Sequence, residues 1–126
     1  LPNWRPPLIT HEDLTLDDSD RTFVRVTYVQ IDKGIDMGGT LLVDRALAAA
    51  LAERIEAVMS RTEREVDVEL GKGERLRIYE SGSDQCPILN VTWRRPPSHP
   101  SPGLSGLMLT MPYAERLVRA LEGVRR

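Results

Sequence analysis

The chain has 126 residues, of which 40% are hydrophobic and 29% charged, with a formal net charge of −2. That length and balance fit one globular α+β domain able to bury a core without disulfides or a structural metal. They exclude a bilayer-spanning helix, because no apolar run approaches the ~20 residues one requires. They also exclude a disulfide scaffold, because Cys86 is the sole cysteine, and a lone thiol fits a reducing, cytoplasmic setting.

In chain order, residues 1–20 read as an N-terminal arm. Leu1-Pro2-Asn3-Trp4-Arg5-Pro6-Pro7 is punctuated by proline, and Asp17-Asp18-Ser19-Asp20 closes the stretch with an acidic, turn-prone cluster. The remaining residues, 21–126, read as a single α+β domain. Phe23 to Ile31 is rich in β-branched and aromatic residues and predicts a strand, with Val24, Val26 and Tyr28 on one side. Asp32-Lys33-Gly34 turns the chain, and a second strand follows at about 40–43. Asp44 stands where a helix N-cap belongs, and the helix it opens runs to about Ser60 on a stripe of Leu47, Leu51, Ile55 and Val58. Ala48, Ala49 and Ala52 are read as the other face of that helix. Alanine there serves helix propensity, or allows close approach of a second element, such as a partner copy in a homodimer.

Arg61 to Glu80 predicts a hairpin. Val66, Val68 and Leu70 alternate with Glu65, Asp67 and Glu69; after Gly71-Lys72-Gly73, Leu76 and Ile78 alternate with Arg75, Arg77 and Tyr79. The polar side is either a cross-strand charge ladder or a ligand-facing patch. Pro87 to Arg95 predicts the next strand, 96–103 a proline-rich excursion, and Leu107 to Thr110 the last strand. A second amphipathic helix follows on Tyr113, Leu117, Leu121 and Val124, capped by Thr110, with Pro112 in its first turn.

These segments repeat. Val26-Thr27-Tyr28 recurs as Val91-Thr92-Trp93, a glycine opens the next apolar run in each half, and the helical anchors share an offset of 66 residues. The expected fold is α+β: an antiparallel sheet of about five to seven strands with two amphipathic helices, arranged as a pseudo-two-fold repeat of strand-strand-helix units at about 22–60 and 63–126.

No catalytic signature emerges. His11 and His99 have no partner at metal-ligand spacing, Cys86 adjoins no histidine or basic run, and Gly34, Gly38 and Gly39 precede a strand where a phosphate cradle needs a helix. The expectation is a non-catalytic module with no cofactor and no metal, acting away from membranes. Residues 1–60 carry six basic and ten acidic side chains, residues 61–126 eleven and nine, so the halves stand at −4 and +2. That asymmetry is too small to establish a nucleic-acid surface, where a concentrated basic stripe is expected. Single-stranded nucleic acid is the leading expectation on other grounds, because a sheet can stack bases on aromatic rings while guanidinium groups follow the backbone. Arg25, Arg75, Arg77, Tyr79, Arg94 and Arg95 all come from predicted strands or their ends. The alternative is protein interaction or self-association through Ala48, Ala49 and Ala52. Charge separates the two: full pairing of Glu65, Asp67 and Glu69 with Arg75 and Arg77 weakens the nucleic-acid reading sharply.

The segment from Arg75 through Val124 resembles the single-stranded-DNA-binding domain of the transcriptional positive-cofactor-four family. The resemblance rests on Arg75-Leu76-Arg77-Ile78-Tyr79, then Ile88-Leu89-Asn90-Val91-Thr92-Trp93-Arg94, then Gly106-Leu107-Met108-Leu109-Thr110-Met111-Pro112 and the helix. It implies four antiparallel strands followed by a helix, with Arg75, Arg77, Tyr79 and Arg94 facing nucleic acid. The chain departs from that family at 96–103, where proline and serine replace lysine and aromatic residues. Two such units fused in one chain would mimic the family's dimer.

Overall fold

The strongly alternating segments find one another as strands and set the architecture. A computed structural model describes residues 9–69, 75–95, 98 and 103–124. The proline-punctuated start of the expected arm (residues 1–8), Leu70, the Gly71-Lys72-Gly73 segment, His99 with most of 96–102, and Arg125 and Arg126 lie outside the described residues. The elements are β1 (Ile9–Asp17), β2 (Phe23–Asp32), β3 (Ile35–Asp36), β4 (Gly39–Asp44), a short 3-10 turn (Arg45–Leu47), α1 (Ala48–Met59), β5 (Glu65–Glu69), β6 (Arg75–Gly82), β7 (Pro87–Arg95), β8 (Gly103–Thr110) and α2 (Met111–Glu122). They form two antiparallel sheets of four strands each and two helices.

The single sheet of five to seven strands expected from the sequence is therefore two sheets, and part of the expected arm is a strand. β1 pairs with β2 along nearly its whole length, with Leu14 opposite Tyr28 and Leu16 opposite Val26. Its period of two is faint in the sequence because only Leu14 and Leu16 are apolar on the covered side, with Glu12 taking the third place, while His11, Asp13, Thr15 and Asp17 are exposed. Beyond it, Asp20 accepts backbone N–H bonds from Thr22 (2.7 Å) and Phe23 (3.2 Å), which hold its carboxyl below the usual aspartate range.

β2 is the hub of the first sheet, with β1 on one edge and β3 and β4 on the other. Lys33 (φ +54°) and Gly34 (φ +79°) give the two-residue loop that joins β2 to β3, a geometry whose twist matches antiparallel strands. Gly38 separates β3 from β4 because a Cβ there would collide with the Tyr28 carbonyl. In β4, Leu41 lies opposite Val26 and Val43 opposite Val24. The second sheet is a meander, β5-β6-β7-β8, in which Val66 faces Ile78, Ile78 faces Val91, and Val91 faces Leu107.

One hydrophobic cluster joins all of this. Val26, Leu41, Val43, Leu76, Ile78, Leu89, Val91, Leu107 and Leu109 from the sheets meet Leu51, Ile55, Leu117 and Leu121 from the helices. Each such side chain contributes about 1.5–3 kcal/mol on burial. The helices pack on each other; α1 also covers β5 and β6, while α2 covers β1, β7 and β8. The sheets approach at β4 and β8, where a Cβ on Gly39 would stand 3.2 Å from the Leu107 side chain. Asp44 accepts the Ala46 N–H (3.0 Å), so the expected cap closes the 3-10 turn that leads into α1. Thr110 stands at the N-cap of α2 but makes no side-chain cap there; its hydroxyl donates to Glu12 (2.8 Å).

Candidate nucleic-acid interface

Strand alternation decides which side chains leave the core. On β6, Leu76 and Ile78 are buried, which puts Arg75, Arg77 and Tyr79 on the opposite side of the second sheet. The register then sets Tyr79 beside Asn90 and Arg77 beside Thr92. Arg75 and Arg94 each lie one residue beyond the Leu76–Trp93 pair, at the same end. Arg75, Arg77, Tyr79, Thr92 and Arg94, with Arg64, which precedes β5, line one open groove of 640 Å³. Trp93 borders it while packing in part against the core, and Tyr28 is buried, 1% exposed.

The groove has an acidic flank. Arg77 Nε meets Glu65 at 2.9 Å and Asp67 at 3.5 Å, and Arg75 meets Glu69 at 3.9 Å. All three carboxylates are thus engaged, the condition that weakens the nucleic-acid reading. Every partner is half exposed or more, and such ion pairs are each worth about 0–1 kcal/mol and yield to salt. Arg64 and Arg94 make no ion pair among the described residues. Among the described residues the groove therefore keeps two unpaired cations, Arg64 and Arg94, beside two loosely held ones.

Not every basic residue singled out by the sequence joins this site. Arg25 is exposed on the first sheet, opposite Asp17 on one side and Leu42 on the other, away from the groove. Asp17 has its carboxyl held below its usual value by side-chain and backbone hydrogen bonds from Ser19, with a smaller contribution from the Arg25 charge. Arg95 ends β7, and its side chain lies outside the described residues. Arg64 was not singled out from the sequence, since it sits in a connection with no strand periodicity to place it.

The alanine face requires a correction. Ala48 and Ala52 are each 1% exposed and belong to the chain's own core, and only Ala49 faces solvent. The small side chains serve packing inside the molecule, so the face they form is not open to a second copy.

Among the described residues no group of three His, Cys, Asp or Glu is placed to hold a metal ion, and no helix is long and apolar enough to cross a membrane. No protein-family model, curated protein or solved structure matches the chain.

Proposed function

We propose that this chain is a non-catalytic binding module that holds single-stranded nucleic acid on the exposed face of the β5–β8 sheet. The observation that carries the reading is the convergence of Arg64, Arg75, Arg77 and Arg94 with Tyr79 in one 640 Å³ groove. Guanidinium groups follow a phosphate backbone, and a ring standing on a strand offers a stacking surface for a base. The order of four antiparallel strands followed by a helix in β5–β8 and α2 supports the resemblance to the positive-cofactor-four family.

The same proposal includes the internal repeat. The row Leu16–Val26–Leu41 of the first sheet has the register of Ile78–Val91–Leu107 in the second, and Leu14–Tyr28 that of Leu76–Trp93. On this reading β1, β2, β4 and α1 correspond to β6, β7, β8 and α2, and β5 is the unmatched strand. The helices follow the same relation, since α1 packs on β6 and α2 on β1.

Fluorescence anisotropy with a labelled oligodeoxythymidylate at low and high salt tests the reading. Binding is expected at low salt and should weaken as salt rises. Arg94→Ala and Arg64→Ala should each lower affinity about fivefold, while Arg25→Ala leaves it unchanged. Absence of binding at low salt, or equal loss from Arg25→Ala, overturns it.

A further inference from the structure

We propose that strand β5 is a built-in competitor for the groove: its carboxylates occupy Arg75 and Arg77 in the free chain, so that only a contiguous strand of phosphates displaces them. The inference rests on the β5–β8 face being a nucleic-acid interface. Its observations are the pairing Glu65↔Tyr79, Asp67↔Arg77 and Glu69↔Arg75, and the ion pairs that this register permits. A strand that alternates Glu65, Asp67 and Glu69 with Val66 and Val68 sets three carboxylates, spaced along the chain as repeated anions, on the groove side of the sheet.

Two consequences separate this arrangement from an inert charge ladder. The first concerns ligand class. The β5 carboxylates are tethered one strand away from their arginines, at an effective concentration on the order of millimolar or above. A free monophosphate at micromolar concentration cannot compete with that. A strand first held by Arg64 and Arg94 presents its next phosphates at a comparable effective concentration, and so can exchange with Glu69 on Arg75 and then with Glu65 and Asp67 on Arg77. The looser 3.9 Å pair should exchange before the arginine held by two carboxylates. The chain is thereby selective for oligonucleotides over mononucleotides.

The second consequence concerns salt. A phosphate that meets Arg64 or Arg94 releases its condensed counterion to the bulk. A phosphate that displaces a carboxylate replaces an ion pair that salt also weakens, so at Arg75 and Arg77 the two salt effects partly cancel. With a slope of about −0.7 per neutralised phosphate on single strands, the native chain should show a slope of log K against log salt shallower than about −2.8, reaching about −1.4 where that cancellation is complete. The variant Glu65→Gln, Asp67→Asn, Glu69→Gln should show about −2.8, since all four neutralised phosphates then release counterions with no ion pair to offset them.

The experiment measures oligodeoxythymidylate affinity across a salt series for three forms: native chain, triple β5 variant, and a charge-matched variant (Asp13→Asn, Asp18→Asn, Glu53→Gln) at exposed sites away from the groove. Far-UV circular dichroism checks folding, and the single variant Glu69→Gln, with an intermediate slope expected, serves if the triple variant fails to fold. The expected result is a steeper slope and about tenfold higher low-salt affinity for the β5 variant alone. Equal slopes for the native chain and the β5 variant overturn the inference while leaving the interface standing. A slope raised as much by the charge-matched variant also overturns it, because net charge would then explain the effect. If neither native chain nor β5 variant binds at low salt, the interface reading itself falls.

Discussion

Glu12 ties together four elements through one side chain and one carbonyl. Its Oε2 accepts hydrogen bonds from the Tyr28 hydroxyl and from Thr110 Oγ1 (2.8 Å), and its carbonyl oxygen accepts one from the Tyr113 hydroxyl (2.9 Å). Gln30 Nε2 donates to the Tyr28 hydroxyl oxygen (2.6 Å) and to the Met108 carbonyl (3.0 Å). β1, β2, β8 and α2 are thus joined by a polar network at the margin of an apolar core. Burial, and then the hydrogen bond to Glu12, raise the Tyr28 pKa above its ordinary value. A raised folded-state pKa means that this contribution to stability is complete below the ordinary tyrosine pKa of about 10 and is lost as pH rises through the folded value. Tyr28→Phe leaves the Glu12 carboxylate and the Gln30 amide each short of a partner, so it should destabilise the chain by about 1–3 kcal/mol at neutral pH. Urea denaturation at pH 7 and again above pH 10 checks both points: the gap between native chain and variant should narrow at the higher pH. The sequence did not disclose this network. Glu12 and Thr110 stand 98 residues apart, and an acid inside a polar stretch looks the same whether it meets solvent or two hydroxyls.

The two helices and the β5–β6 hairpin were legible because their periods survive in the residues themselves. Val66, Leu76 and Ile78 fall on the buried side as alternation requires, and Leu51, Ile55, Leu117 and Leu121 form the expected stripes. β1 was hidden because its covered side holds an acid among two leucines. The alanines of α1 were ambiguous for a different reason: high helix propensity and close packing select the same side chain. Burial resolves the ambiguity and changes the expected outcome of substitution. Ala52→Glu places an unpaired carboxylate in the core and should destabilise the chain by about 3–5 kcal/mol, whereas Ala49→Glu, on the exposed side, should stay within about 0.5 kcal/mol. Chemical denaturation of the two variants provides the comparison. An Ala52→Glu chain with native stability and an altered sedimentation coefficient would restore the association face.

Across the whole molecule, the two sheets share one core yet present different outer faces. The exposed side of β1 carries His11, Asp13, Thr15 and Asp17, and the exposed side of β6 carries Arg75, Arg77 and the half-buried Tyr79. If the sheets are repeats, the scaffold is common to both and the binding chemistry belongs to one. Four of the six strand residues proposed from the sequence line the groove because alternation on β6 and β7 could be read directly. Arg25 does not, since its membership of the first sheet rather than the second depended on a division into two sheets that local patterns do not encode. Nucleic acid, on this reading, meets the outer side of β6 and β7 and no other face. Backbone amide chemical shifts of isotope-labelled chain, followed by NMR as a short oligodeoxythymidylate is added at low salt, test it most directly. Saturable shifts are expected at residues 75–79 and 90–94, with residues 13–17 and 25–29 unmoved. Shifts concentrated on the first sheet, or along the exposed sides of α1 and α2, would contradict it.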